Sequence, residues 1–429
     1  MQTVKLAIAG FGTVGTGLAR ILEDNEEIIR ARSGKKFVLT TVLVRDVNKK
    51  RDYLPGPGVK FTADPEEFTS SPDVDIVVEL MGGTTVAREI VVKALESGKH
   101  VVTANKHLLA EHGIELFEIA ARKKVGLFYE SSVAGGIPII QSIKESLAGN
   151  RIKSIVGILN GTANYILSEM STNSLEFETA LQQAQDLGYA EADPTFDIEG
   201  IDTAHKVCVL TRIAYGKDYP LSELPVEGIT KVEGQDIRFA REFGYRIKLI
   251  GQVCDVGGKL EAGVFPALVK YTLLLARVGG NYNAVRVEGN AVGPAFFHGQ
   301  GAGSLPTGSA VLADIMALAR TEVPDNTGFC NAPIPKADIL PPELTTSEYY
   351  FRFTVQDKAG VMAALSKCLA EHNISIAQAV QKGNPDDRDI PVVFTTHTAS
   401  TKDVKAALEE IDKMPFIARK TVSMRILKG

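Results

Sequence analysis

An apolar stretch, Val4-Lys-Leu-Ala-Ile-Ala9, runs straight into Gly10-Phe-Gly-Thr-Val-Gly15, and a helical pattern over Val14–Leu22 follows. Strand, GxGxxG turn and helix in that order narrow the fold more than any other feature of the chain. Gly10 permits the tight turn, Gly12 lets the backbone approach a pyrophosphate, and Gly15 allows close helix–strand packing. The helix N-terminus then offers free N–H groups and a positive dipole end to phosphates. The expected cofactor loop is therefore Gly10, Phe11, Gly12, Thr13, Val14 and Gly15.

The pattern continues as strand and helix in alternation. Phe37–Val44, Asp75–Leu80, His100–Thr103 and Leu127–Tyr129 read as strands, with a helix over Val86–Leu95. Such alternation predicts an α/β, Rossmann-like doubly wound parallel sheet. Residues 131–300 read differently. Arg151–Leu159, Ile247–Val256, Leu260–Val269 and Ala284–Val292 look like strands, the middle two joined at Gly257-Gly258 as a hairpin. Thr162–Met170, Glu178–Leu187, Gly200–Ala214 and Gln235–Phe243 look helical, and Leu273–Val278 is helix-like. This mixture suggests an α+β catalytic and dimerisation domain. Leu305–Arg320 is an apolar helix suited to packing back on the first domain. Thr321–Ser347 holds five of the 19 prolines and reads as a connecting segment. Beyond it, Tyr349–Val355, Val361–Glu371, Ile374–Gln381, Ile390–His397, Thr401–Lys413 and Thr421–Leu427 give βαββαβ, a ferredoxin-like unit. The expected boundaries are 1–132 (completed by 305–330), 133–304, a linker at 331–347, and 348–429.

Composition excludes several classes. The 429 residues carry 47 Lys and Arg against 52 Asp and Glu, a net charge of −5, which lacks the footprint of a nucleic-acid binder. No apolar run reaches the ~18 residues of a membrane span. The first strand pattern begins at Val4, so neither a secretory leader nor a fused upstream kinase is expected. Four cysteines, at 208, 254, 330 and 368, are too scattered for a CxxC pair and read as reduced thiols in a cytoplasmic protein.

At the end of the second strand an acid suits the ribose hydroxyls of NAD, whereas an arginine accommodates a 2′-phosphate. Arg45, with Lys49-Lys-Arg51 behind it, favours NADP(H); Asp46 leaves NAD(H) open. Two lysines stand out. Lys106 follows the strand ending in Thr103, past its carboxyl end, where such sheets bind ligands. Lys206 ends the segment Gly188–Lys206, where Asp202 and Lys206 are i, i+4 neighbours on one helix face. By spacing alone that pair could equally be an exposed ion pair worth about 0.2–0.5 kcal/mol. The acids Glu191, Asp193, Asp197 and Glu199 lack the pattern of a calcium loop.

Six motifs in order carry a resemblance: Gly10–Gly15, Thr103-Ala-Asn-Lys106, Glu130-Ser-Ser-Val-Ala-Gly-Gly-Ile-Pro138, Leu159-Asn-Gly-Thr-Ala-Asn-Tyr-Ile166, Gly188–Lys206 and Gly299-Gln-Gly-Ala-Gly-Ser-Leu-Pro-Thr307. The whole chain resembles homoserine dehydrogenases of the long form, with a C-terminal ACT domain. That family interconverts L-aspartate 4-semialdehyde and L-homoserine with NAD(P)H, in threonine, methionine and isoleucine biosynthesis. The resemblance implies that Lys206 is the general acid and base, oriented by Asp202. A lysine with pKa ~10.4 is a poor base at neutral pH, so a nearby cation such as Lys106 would help lower it, against the opposing pull of Asp202. It further implies that Glu191 holds the substrate α-ammonium and that Lys106, Asp202 and Thr162 line the substrate. Arg45, Thr103, Lys106, Gly188 and Gly303 would join the cofactor loop. Glu130, Val133, Gly135 and Ile137 would bind a monovalent cation, sodium, mostly through backbone carbonyls.

Some positions depart from the family pattern. Ala163 replaces a second threonine, His298 an aromatic residue, and Gln300 a proline; Lys270-Tyr-Thr-Leu replaces a proline- and histidine-containing stretch. In the C-terminal unit, Asp357, Gly360, Asn373 and Ile374 match the amino-acid site of ACT domains, with Ala359 where proline is common. L-threonine is the implied effector, and a homodimer or homotetramer the implied assembly; an ACT domain that only dimerises is the plainer alternative. Two other readings compete with this one. A phosphorylating semialdehyde dehydrogenase needs a cysteine nucleophile, whereas Cys208, two residues after Lys206 in a helix, reads as a buried apolar thiol. A non-enzymatic regulator would not need Lys106, Glu191, Asp202 and Lys206 together.

Overall fold

A computed structural model describes residues 2–322, 324–330, 333–382 and 389–428. The chain divides into two compact units, Met1–Ile155 with Asp202–Leu224 and Tyr282–Ala337, and Val156–Ile201 with Pro225–Asn281 and Asp338–Gly429.

In the first unit six strands form the expected sheet: β1 (Thr3–Ala9), β2 (Lys36–Leu43), β3 (Lys60–Thr62), β4 (Ile76–Glu79), β5 (His100–Thr103) and β6 (Leu127–Phe128). Their order is β3-β2-β1-β4-β5-β6 and every pairing is parallel. The order reverses between β1 and β4, and doubly wound sheets bind ligands beyond the carboxyl ends of strands at such a point. Leu6, Ile8, Ile76, Val78 and Val102 make the core, covered by Val311, Ile315 and Leu318 of the helix Ser304–Leu318. That helix returns to the sheet as anticipated. Gly17 and Gly308 make its close approach possible. A Cβ on Gly17 would lie 2.2 Å from the Ser304 carbonyl oxygen, and one on Gly308 2.8 Å from the Leu18 nitrogen.

The sequence reading missed β3 and the helices Glu26–Ser33 and Pro65–Ser70. Each is short and buries few side chains: Ile29 alone in Glu26–Ser33, Phe68 and Thr69 in Pro65–Ser70. The predicted strand Ala284–Val292 is corrected to an antiparallel hairpin, Tyr282–Gly289 with Gly293–Gln300. The second arm was invisible because its residues are exposed or half-buried and carry no apolar alternation.

In the second unit the hairpin Tyr245–Val256 and Lys259–Lys270 turns at Gly257-Gly258, both left-handed (φ 64° and 91°). Leu273–Val278 is not a helix but a single 3₁₀ turn, Leu274–Arg277. The C-terminal strands order as Ile417–Ile426, Thr346–Gln356, Asp389–Thr396, Ile376–Gln381, all antiparallel, as a ferredoxin-like unit requires. Arg425 and Ile426 extend this sheet in parallel onto Ala267 and Leu268. Strand Thr346–Gln356 is buried on both faces. Tyr349, Phe351, Phe353 and Val355 enter the core beneath the helices Val361–Glu371 and Thr401–Ile411. On the other face Arg352 grips Asp236 of the helix Gly234–Glu242 through Nε–Oδ1 (2.6 Å) and Nη2–Oδ2 (3.0 Å), and the Tyr350 hydroxyl donates to Oδ1 at 2.9 Å.

The proline-rich stretch is more ordered than a linker. The Asp218 and Ala337 amides donate to Pro335 and Asp218 carbonyls (2.8 and 2.7 Å) in the first unit. The Leu260 and Leu340 amides donate to Asp338 and Leu260 carbonyls (2.8 and 2.9 Å) in the second. Prolines removed the periodicity, but their carbonyls and their neighbours' amides still pair. Part of the assigned linker, Asn331 and Ala332, lies outside the described residues.

Candidate active site

The turn after β1 has the geometry its glycines suggest. Gly10 is left-handed (φ 99°), and a Cβ there would sit 2.6 Å from the Leu80 carbonyl oxygen at the end of β4. A Cβ on Gly15 would meet the Gly10 carbonyl oxygen at 2.4 Å, whereas Gly12 faces open space. The helix Thr13–Asp24 starts at Gly12 with no side-chain cap and no acid in its first turn, which leaves its first N–H groups for an anion. Gly303 (φ 122°) precedes the helix Ser304–Leu318, and the Ser304 hydroxyl donates to the Thr13 carbonyl at 2.8 Å. These residues fit a dinucleotide: bare backbone where phosphates would approach, and two glycines closing the turn behind it.

Arg45 stands exposed beyond β2. Arg51 is not part of a free basic run. Its guanidinium donates to the Asp46 and Lys49 carbonyls (both 2.7 Å) and lies over the Phe61 ring, which meets Phe11 edge-on.

At the ends of β4 and β5 a polar knot positions Lys106. The Thr103 hydroxyl donates to Glu79 Oε2 at 2.6 Å, and Glu79 Oε1 accepts from the Met81 amide at 2.8 Å. Burial pushes the Glu79 carboxyl above its usual range. The Asn105 amide donates to the Thr103 hydroxyl (3.0 Å), its side-chain oxygen caps the helix Lys106–Lys123 by accepting from Leu108, and its side-chain nitrogen donates to the Gly83 carbonyl (2.7 Å). Lys106 is thereby fixed in the first turn. Sequence reasoning missed Glu79 and Asn105. The signal for Glu79 was an acid closing the apolar run Asp75-Ile-Val-Val-Glu79.

The helix Ile201–Tyr215 is buried from Asp202 to Ile213, so the Asp202–Lys206 pair is no exposed ion pair. The Lys206 ammonium donates to Asp202 Oδ2 at 2.7 Å, and the Lys106 ammonium lies 3.0 Å from Oδ1. One carboxylate thus serves two lysines. The lysines differ in access: the Lys206 side chain is 9% exposed, that of Lys106 40%. His205 stacks on His107 with ring centres 4.6 Å apart, and burial, aided by His107, lowers His205 to about 4. Arg212 locks this helix to the helix Lys106–Lys123 by donating to the Leu109 and Ala110 carbonyls, and it pairs with Asp218. Cys208 is fully buried and its thiol is pushed up to about 12. It is a core side chain, not a nucleophile.

Glu130–Ile137 forms a tight, buried turn in which Ala134 (φ 56°) and Gly135 (φ 57°) are consecutively left-handed. A Cβ on Gly135 would strike the Gly301 carbonyl at 2.4 Å. The Glu130 carboxylate accepts from the Ile140 and Gln141 amides (2.8 and 2.7 Å), and its own amide donates to Asp314 (2.7 Å). Burial raises Glu130 to about 7 and Asp314 well above the carboxylate range. The buried Ser131 hydroxyl makes no hydrogen bond among the described residues. A strained loop of oxygen donors with an unused hydroxyl fits a small hard cation.

The remaining predicted residues belong to the second unit. The Thr162 hydroxyl donates to the Tyr189 carbonyl at 2.6 Å. The Asn160 side chain caps the helix Gly161–Thr172 at Ala163 (2.7 Å) and donates to Asp197 (2.6 Å). Gly188 is left-handed (φ 72°) with open space before it, and Glu191 is exposed. In the βαββαβ unit Gly360 (φ 93°) starts the helix Val361–Glu371 and Asn373 (φ 57°) follows it. Ile374 is a core residue, 3% exposed.

Comparison with known proteins agrees with this arrangement along the chain. Residues 10–130 match the family described as homoserine dehydrogenase, NAD binding domain; residues 138–316 match homoserine dehydrogenase; residues 349–416 match the ACT domain. A homoserine dehydrogenase of Neisseria gonorrhoeae is 43% identical over 99% of both chains. The crystal structure of a homoserine dehydrogenase from Thiobacillus denitrificans is 41% identical, with a TM-score of 0.92 over 100% of this chain and 99% of that one. A hyperthermophilic archaeal homoserine dehydrogenase in complex with NADPH is 29% identical, with a TM-score of 0.62 over 74% of this chain and 98% of that one.

Proposed function

The chain belongs to the homoserine dehydrogenase family, and on that premise we propose that the Lys106–Asp202–Lys206 cluster performs its proton chemistry. A dinucleotide held by Gly10–Gly15 would supply the hydride that reduces the aldehyde carbon of L-aspartate 4-semialdehyde. Lys206 gives the aldehyde oxygen its proton and takes it back when homoserine is oxidised. Asp202 holds the Lys206 nitrogen at 2.7 Å, which orients the ammonium. An ammonium donor favours an oxygen on which negative charge develops. Lys106, the more exposed lysine, faces substrate and nicotinamide. One observation carries this reading: a buried carboxylate shared by two lysines, one of them in the first turn of the helix that follows β5.

The finer assignments rest on the resemblance and on local chemistry. Gly10–Gly15, Thr103, Gly188 and Gly303 approach the dinucleotide, with NADP(H) preferred because Arg45 is exposed to meet a 2′-phosphate. Glu191 holds the substrate ammonium, and Thr162 contributes chiefly through its bond to Tyr189. Glu130, Val133, Gly135 and Ile137 hold sodium. L-Threonine binds around Asp357, Gly360, Asn373 and Ile374, and the enzyme is a homodimer or homotetramer. The matches at 10–130, 138–316 and 349–416 support the three-part division expected from the sequence.

Homoserine-dependent reduction of NADP and of NAD tests the proposal, in wild type and Lys206→Ala. Turnover by wild type, its loss in the variant and retained cofactor binding are the expected result. Near-wild-type turnover in Lys206→Ala overturns the mechanism; no turnover by wild type overturns the substrate. Slowing by threonine supports the effector site.

A further inference from the structure

The C-terminal unit carries a second chemical cluster that the reaction does not use. Cys368 lies in the last turn of the helix Val361–Glu371 and His372 follows it at i+4, so both face the same way. Glu410 comes from the end of the neighbouring helix, Thr401–Ile411. The thiol sulfur, an imidazole nitrogen and a carboxylate oxygen of these three all lie within 4.8 Å of one another. His372 Nε2 and Glu410 Oε2 are already 3.1 Å apart.

We propose that Cys368, His372 and Glu410 form a zinc site that clamps the two helices of the βαββαβ unit. The donor set selects the metal: thiolate, imidazole and carboxylate together suit zinc and not magnesium or calcium, which take oxygen alone. Zinc at about 2.3 Å from sulfur and about 2.0–2.2 Å from nitrogen and oxygen sets ligand separations of roughly 3–4 Å, close to those present. A water would complete the four ligands; the Glu410 side chain is 53% exposed. Metal binding displaces the thiol proton and supplies the positive charge that the thiolate of Cys368, 2% exposed, needs. Cys368, Leu369, Ala407 and Ile411 share one core cluster, so the clamp would stiffen a packed helix pair.

Cobalt(II) titration of the chelator-treated full-length chain tests this. The expected result is a thiolate-to-cobalt charge-transfer band that saturates at one equivalent and is removed by zinc. Cys368→Ser abolishes the band, and His372→Gln and Glu410→Gln each weaken cobalt and zinc binding at least tenfold. Homoserine turnover is unchanged in all three. No band, or a band that survives Cys368→Ser, overturns the proposal. Should Cys368→Ser fail to fold, the two partly exposed positions decide: unchanged zinc affinity in both His372→Gln and Glu410→Gln overturns it.

Discussion

Asp202 and Asp236 are two buried carboxylates gripped by cations, one in each unit, and they are built for opposite ends. Asp236 is enclosed: Arg352, 2% exposed, holds it with two hydrogen bonds, Tyr350 adds a third, and the carboxylate also completes the capping box of its own helix. Asp202 is held by two lysines, one nitrogen per oxygen, and the Lys106 side chain is 40% exposed. The first cluster saturates its acceptor with the rigid fork of an arginine. The second uses flexible, protonatable amines, one of them partly exposed. A buried ion pair closed on all sides is structural; one that retains donors and access can do chemistry.

The comparison breaks most sharply on Lys206. Lys206→Ala is expected to lower homoserine turnover by about 10²–10⁴-fold, the usual worth of a positioned acid or base. The unfolding midpoint moves little, because Lys106 still pairs with Asp202; a large stability loss with retained turnover would reverse the assignment. Arg352→Met should do the converse. It strands a buried carboxylate and costs about 3–5 kcal/mol in urea unfolding, while the double change Arg352→Met with Asp236→Leu recovers most of the loss.

His205, one residue before Lys206, sharpens the picture with pH. Its value of about 4 in the folded chain lies below the ordinary 6.5. As the pH falls through 6.5 towards 4, the unfolded chain takes a proton that the folded chain refuses, so stability falls. Between pH 7 and 5 this amounts to about 2 kcal/mol, and His205→Gln should flatten that part of the urea-unfolding profile. The smallest effect belongs to a charge outside both clusters. Arg45→Ala should raise the KM for NADPH about tenfold, or about 1.4 kcal/mol, and leave that for NADH unmoved. Equal shifts for both cofactors would remove Arg45 from 2′-phosphate recognition.

What was legible differed by element. The cofactor loop, β5, the helix Val361–Glu371 and the Gly257-Gly258 hairpin were readable because each is marked locally, by glycine position or apolar periodicity. The strand Gly293–Gln300 was not, since its pairing with Tyr282–Gly289 is made by backbone atoms that leave no side-chain pattern. Lys206 and Asp202 were visible as an i, i+4 pair, but the same spacing describes a solvated ion pair. Glu79, Asn105 and His205 were missed because their partners, Thr103, Gly83 and His107, come from other elements or across a turn.

The sequence by itself determined a dinucleotide fold, its parallel strands and the carboxyl-end position of Lys106, because glycine conformation and two- or 3.6-residue periodicity act over a few residues. The tertiary structure decided which charges matter. Burial of the helix Ile201–Tyr215, the arrival of Lys106 at the second oxygen of Asp202, and the enclosure of Asp236 under Arg352 all depend on residues more than 90 positions apart. A charge's worth is set by the dielectric and the partners around it, and those exist only once the chain has folded.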